Sequence, residues 1–180
     1  MPDERPARSR RGWLFATVAV AALGLGILAA QLWIRPAAVA KDASALLAIT
    51  LPDTSGREQA LGQWRGRVLV VNFWATWCAP CREEMPLFVR AQREMGAKGL
   101  QFVGIAVDDA AKVRAFADEI GLNYPALVGG YGAMELSKTL GNSIMALPFT
   151  VVVDRTGAVA LTHLGPIKEA QLDAILRQLL

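Results

Sequence analysis

The chain has 180 residues, room for one domain and an appendage, and its apolar share of 53% is inflated by a single N-terminal run. The net charge of +3 comes entirely from residues 1–35, which carry five basic and two acidic side chains, whereas residues 36–180 carry fourteen of each. A neutral domain has no basic face for DNA or RNA, so nucleic acid is excluded as a partner.

Residues 1–12 form a basic tail, and Trp13 to Ile34 follow as 22 residues without a charge. As a helix this run would be about 33 Å long, enough to cover a hydrocarbon core of about 30 Å. Arg5, Arg8, Arg10 and Arg11 precede it and only Arg35 closely follows, so the positive-inside bias keeps the tail in the cytoplasm and sends the rest outward. Two readings stand: an uncleaved single-pass anchor over 13–34, or an export signal. For the signal, "AVA" at Ala38 to Ala40 has the small-x-small form of a cleavage site, and "SRRGWLF" resembles a twin-arginine signal. For the anchor, the run exceeds the usual signal core of about 7 to 15 residues. Both place the domain in the periplasm or an equivalent extracytoplasmic space, where thiols tend to be oxidised.

Residues 35–45, "RPAAVAKDASA", read as a Pro/Ala linker, and the domain is expected over 46–180. "LLAITLPDTSGREQAL" predicts two short strands about a turn at Asp53 to Gly56, with "LGQWRG" a brief helical turn. "VLVVNFW" predicts a buried strand from its unbroken apolar, β-branched character. A helix from about Pro80 to Lys98 follows, with Met85, Phe88, Val89, Gln92 and Met95 at helical spacing and Pro86 removing one internal bond. "LQFVGIAV" is a strand, "AAKVRAFADEIG" an amphipathic helix, "YPALVG" an extended piece and "AMELSKTLG" a short helix. "FTVVVD" and "AVALTHLG" are joined too closely for anything but an antiparallel hairpin, and "KEAQLDAILRQLL" is the last helix. This order implies an α/β domain, a mixed central sheet with helices on both faces.

The chain's two cysteines both lie in "WATWCAPCREEMP". Cys78 falls where a strand gives way to a helix, so its sulfur meets unpaired N–H groups and the positive end of the helix dipole, which favour thiolate. Cys81 lies one turn on, on the same face, close enough to close a disulfide after little movement. Pro80 is tolerated in the first turn and stiffens the loop. Three other uses of the pair are weaker. A disulfide closing four residues is a poor staple. A metal needs two more ligands and the one histidine, His163, is far off in sequence. Covalent haem needs a histidine where Arg82 stands. Redox exchange remains, and it calls for no metal and no cofactor. His163 reads as an ordinary strand histidine, and Asp108-Asp109 as a loop and helix cap.

"VVNFWATWCAPCREEMP", with the lead-in "ITLPDTSGREQALGQWRGRVLVVNFW", resembles the membrane-anchored, thioredoxin-like TlpA/ResA family of extracytoplasmic thiol-disulfide oxidoreductases, over nearly all of 46–180. The resemblance implies a thioredoxin-like fold with an N-terminal β-hairpin extension. It also implies that Cys78 attacks the substrate and Cys81 resolves the mixed disulfide, usually in the reducing direction. Where thioredoxins carry a buried aspartate, this chain has Asn72. Glu84 matches a glutamate that the family places beside the active site, where it would assist proton transfer at Cys81; the alternative is a solvated helix carboxylate. Leu147-Pro148 matches the family's cis-proline, which would face the cysteines while Leu147 pairs with substrate backbone. Trp77, Pro80 and Leu147 are the expected substrate contacts, and Trp74 is either rim or core. The expected partners are exported proteins with disulfides, such as apocytochrome c or metal-site assembly proteins, and a membrane thiol carrier as electron donor. A disulfide-forming oxidase is the main alternative. A peroxiredoxin-like peroxidase lacks its Pro-x-x-x-Thr-x-x-Cys stretch here, and a copper-delivery protein would have a wider cysteine spacing and a well-placed histidine.

Overall fold

The computed structural model describes residues 41–180, so the expected anchor over 13–34 lies outside the described residues. Among the described residues no helix is long and apolar enough to cross a membrane. In chain order the elements are β1 (Lys41–Asp42), α1 (Ser44–Leu47), β2 (Thr50–Pro52), β3 (Glu58–Ala60), β4 (Val68–Trp74), α2 (Ala79–Met95), β5 (Leu100–Ala106), α3 (Ala110–Glu119), β6 (Ala126–Val128), α4 (Gly130–Thr139), β7 (Phe149–Val153), β8 (Ala158–Leu164) and α5 (Glu169–Leu179). Short 3-10 turns cover Leu61–Trp64 and Gly96–Lys98, so the helix expected to run to Lys98 tightens after Met95.

Six strands form one mixed sheet in the order β1-β8-β7-β4-β5-β6. β4, β5 and β6 are parallel, and α2 and α3 supply the crossovers that parallel neighbours require. β7 runs antiparallel to β4, and β8 antiparallel to β7. The turn between β7 and β8 is closed by Asp154, whose Oδ1 accepts from the Thr156 and Ala158 amides at 2.8 and 3.0 Å, and by Gly157 at φ 92°. β2 and β3 form a separate two-stranded sheet, the expected hairpin extension, bridged to the main sheet through Asp53 and Leu127.

The described fold takes in residues ahead of the boundary expected at Leu46. β1 pairs its backbone with the edge strand β8, and Asp42 Oδ1 accepts from the Ser44 amide at 2.9 Å at the start of α1. Leu46 and Leu47, expected to open a strand, are instead the buried residues of that helical turn, because two adjacent apolar side chains both reach the core there.

β4 is buried at every position, and its alternation feeds two cores. Val68, Val70 and Trp74 join the α2 side with Cys81, Met85 and Phe88, Phe116 of α3, and Leu172 and Leu176 of α5. Leu69, Val71 and Phe73 join the opposite side with Leu46, Ala133 and Leu140. Asn72 breaks the apolar run on the α2 side and Thr150 breaks it in β7; the two are register partners, and each is fully buried. The helices thus cover both faces of the sheet, as the alternation of elements implied.

Candidate active site

Trp74 ends β4, and its carbonyl accepts from the Val107 amide at 2.8 Å, so the strand tip is tied to the end of β5. The chain then turns through Ala75 to Trp77, with the Cys78 amide donating to the Ala75 carbonyl at 3.1 Å. Thr76 Oγ1 donates to Asp108 Oδ2, a second tie to the same neighbouring loop. Asp109 beside it caps α3, accepting from the Lys112 amide at 3.0 Å.

Cys78 is the N-cap of α2, with extended φ and ψ of −87° and 98°, and its Sγ accepts from the Cys81 amide at 3.3 Å. A sulfur in that position takes one of the helix's orphan N–H groups and lies at the positive end of its dipole. Cys78 and Cys81 are joined as a disulfide with Cα atoms 5.3 Å apart. Cys78 keeps 6% of its surface exposed and Cys81 none, so of the two residues only Cys78 reaches the surface.

The remaining expected residues divide around this pair. Trp77 is 69% exposed and Pro80 is exposed, both beside Cys78. Trp74 belongs to the core: it is fully buried and its ring lies 5.5 Å from that of Phe116. A Cβ at Gly104 would come within 2.8 Å of Trp74 Nε1, so the glycine in β5 leaves the room the indole occupies. Leu147-Pro148 is a cis peptide bond immediately before β7, and Leu147 packs against the cluster that contains both cysteines. The loop leading to it is braced by buried Asn142, whose side chain bonds the Ala146 amide at 3.1 Å and the Ala146 carbonyl at 2.9 Å. His163 is half-buried, its ring bonded to the Pro166 carbonyl at 3.4 Å and the Gln171 amide group at 3.3 Å, apart from the cysteines' hydrogen bonds.

Glu84 is not a solvated carboxylate. It is 4% exposed, and it is held from two sides: Asn72 Nδ2 donates to Oε1 at 3.0 Å and the Ile167 amide donates to Oε2 at 2.8 Å. Burial pushes its carboxyl up from 4.5 to about 7, against the lowering effect of those two bonds. Burial, with a smaller push from Glu84's charge, also raises the Tyr124 phenol, so it stays neutral. Between pH 4.5 and 7 folded Glu84 keeps a proton that the unfolded chain releases, so stability falls as pH rises through that window and levels off above it. Thermal or urea unfolding at pH 5 and pH 8 should differ by about 2–3 kcal/mol from this group. In Glu84→Gln that part of the slope should vanish; an unchanged slope would show that Glu84 is already ionised at pH 5.

Reading the sequence passed over three features of the site. Thr150 could have been noticed as a lone polar residue inside a β-branched run, the same signal that Asn72 gives. Asn142 sits in a segment with no periodicity to read. The third is a groove of about 510 Å³ running from Trp77 along Val107, Asp109 and Lys112 to Tyr131, which is almost wholly exposed.

The chain matches the Redoxin family over residues 40–176. Thioredoxin-like protein YneN of Bacillus subtilis is 33% identical over 128 residues, covering 69% of this chain and 72% of that protein. Thiol-disulfide oxidoreductase ResA of Bacillus thuringiensis is 28% identical, covering 71% and 72%. Among solved structures, a thiol:disulfide interchange protein of the thioredoxin family from Chlorobium tepidum superposes with a TM-score of 0.67 at 28% identity, covering 73% of this chain and 92% of that one.

Proposed function

This chain belongs to the Redoxin family and is a thiol-disulfide oxidoreductase of thioredoxin-like fold, and on that footing we propose that it is an anchored, extracytoplasmic reductant of disulfides in exported proteins. The observation that carries the reading is the asymmetry of the pair: Cys78 open at the mouth of α2, Cys81 sealed behind it.

In the dithiol form the Cys78 thiolate attacks one sulfur of a substrate disulfide. A Cys78–substrate bond forms, the substrate's own S–S bond breaks, and its leaving sulfur departs as thiolate and takes a proton. Cys81 then gives up its proton and attacks Cys78, releasing the second substrate thiol and closing Cys78–Cys81. Two electrons pass to the substrate, and a membrane dithiol carrier returns them. Glu84, one helical turn beyond Cys81 and poised near neutral pH, is the base for the second attack. Leu147, ahead of cis-Pro148, and exposed Trp77 and Pro80 supply the contacts with substrate backbone and side chains.

The reducing direction is supported by charge. A strong oxidant is one whose reduced form is stabilised, and a buried carboxylate behind Cys81 opposes build-up of a second negative charge there. A midpoint closer to about −270 mV than to about −120 mV is expected from a redox titration, and the opposite result would make the protein an oxidase. The apolar run 13–34 and the arginines ahead of it support an anchor with the N-terminus in the cytoplasm. Apocytochrome c and metal-site assembly proteins are the substrates proposed.

Cys81→Ala removes the resolving sulfur and should leave exported proteins bonded to Cys78, recoverable as adducts that dithiothreitol releases. Absence of such adducts, with Cys78 present and reduced, would refute the reading.

A further inference from the structure

Asn72 and Thr150 stand opposite each other in the register of β4 and β7, on the side of the sheet that α2 covers. Asn72 Nδ2 donates to Glu84 Oε1 and to Thr150 Oγ1, both at 3.0 Å. The carboxamide is 1% exposed, and its Oδ1 has no hydrogen-bond partner among the described residues. Buried polar atoms are nearly always paired. Here one end of the amide makes two bonds while the other end makes none.

That lopsided arrangement suits a neighbour that exists in two forms. An ionised carboxylate can only accept hydrogen bonds, whereas a carboxylic acid must also donate one. A carboxamide offers donor and acceptor ends that exchange places by a half-turn about its last torsion. With Glu84 ionised, Nδ2 donates to it and Thr150's hydroxyl accepts. With Glu84 protonated, the turned amide presents Oδ1 in the same place, where it accepts from the carboxylic O–H while Thr150's hydroxyl, able to play either part, donates. The Ile167 amide bonds the other carboxyl oxygen in both forms.

We propose that Asn72 and Thr150 are positioning residues, a reversible bracket that keeps Glu84 in one place beside Cys81 as it gains and loses its proton. An aspartate at position 72 could not serve this way, since two adjacent buried carboxylates cannot both ionise. The bracket rests on the reading of Glu84 as Cys81's proton acceptor. Arg82, Glu83, Arg90, Arg93 and Glu94 of α2 are exposed, which leaves Cys78 and Cys81 on α2, Tyr124 ahead of β6, His163 on β8 and Lys168 beside Ile167 as the titratable or charged groups around it.

The test uses the full-length chain in detergent solution, with the rate of mixed-disulfide resolution followed from pH 5 to 9. Wild type should show an inflection near neutral pH that Glu84→Gln abolishes; an inflection surviving Glu84→Gln overturns the role of Glu84 itself. Thr150→Val leaves an amide N–H unpaired chiefly when Glu84 is ionised, so it should move the inflection upward by about one pH unit. Thr150→Ser should restore it. An unmoved inflection in Thr150→Val, or a pH-independent loss of rate that serine does not rescue, overturns the bracket while leaving Glu84's role intact. If Thr150→Val does not fold, the wild-type Asn72 side-chain amide resonances decide. They should shift with the Glu84 carboxyl titration and stay still in Glu84→Gln; resonances that ignore the titration overturn the proposal.

Discussion

Cys78→Ser is expected to lower the rate of disulfide exchange at least about 10³-fold while leaving the fold in place. The two halves of that result have separate causes. Cys81 is fully buried and Cys78 is not, so in the proposed mechanism only Cys78 can begin the exchange, and a hydroxyl is neither ionised at neutral pH nor able to form the mixed disulfide. Serine is among the preferred N-cap residues and can accept from the Cys81 amide as the sulfur does now, so α2 keeps its start. The lost cross-link closes only four residues, worth about 2 kcal/mol by chain entropy. Thiol release from a model disulfide substrate, with unfolding curves as a control, checks both halves. Exchange retained at more than a few per cent would place the attacking group elsewhere.

Trp74→Ala should be strongly destabilising, costing about 3 kcal/mol and lowering the melting temperature by about 10 °C. The ring is fully buried, packs on Phe116 at 5.5 Å and fills the space that Gly104 leaves open. Its Nε1 lacks a partner among the described residues, and removing an unsatisfied group offsets part of the cavity cost, which keeps the figure at the low end for a tryptophan. Trp77→Ala, three residues on and 69% exposed, should move stability by no more than about 0.5 kcal/mol and instead weaken substrate binding. Unfolding in urea on the two variants is the check. Equal effects would mean that the two tryptophans share one environment, which the packing denies.

The two tryptophans also mark how far residue types could be read. Both precede the cysteines within four residues, and nothing in "WATW" tells which ring turns inward. β4's end decides it: Trp74 occupies the last strand position, on the α2 side, whereas Trp77 lies in the turn where no strand alternation applies. The same holds for Leu46-Leu47, an apolar pair compatible with a strand or a helical turn until β1 anchors the chain on β8 just before them. Glu84 was visible as a helical residue one turn past Cys81, and the family resemblance pointed to it. Its place depends on Ile167, 83 positions away in the segment after β8, and on Asn72 of β4.

Local chemistry in the chain determined what is local in the protein: a buried strand from a run of β-branched residues, a helix starting at Cys78, a disulfide within reach across one turn, a hairpin forced by a short connection. These need only neighbours within a few positions, whose geometry the backbone dictates. The tertiary structure alone decided which lone polar side chains meet. Asn72 finds Thr150 because β7 inserts antiparallel against β4, and Glu84 finds the Ile167 amide because the segment after β8 returns over α2. Periodicity reveals that an element has an inner face; strand order and register decide what that face touches.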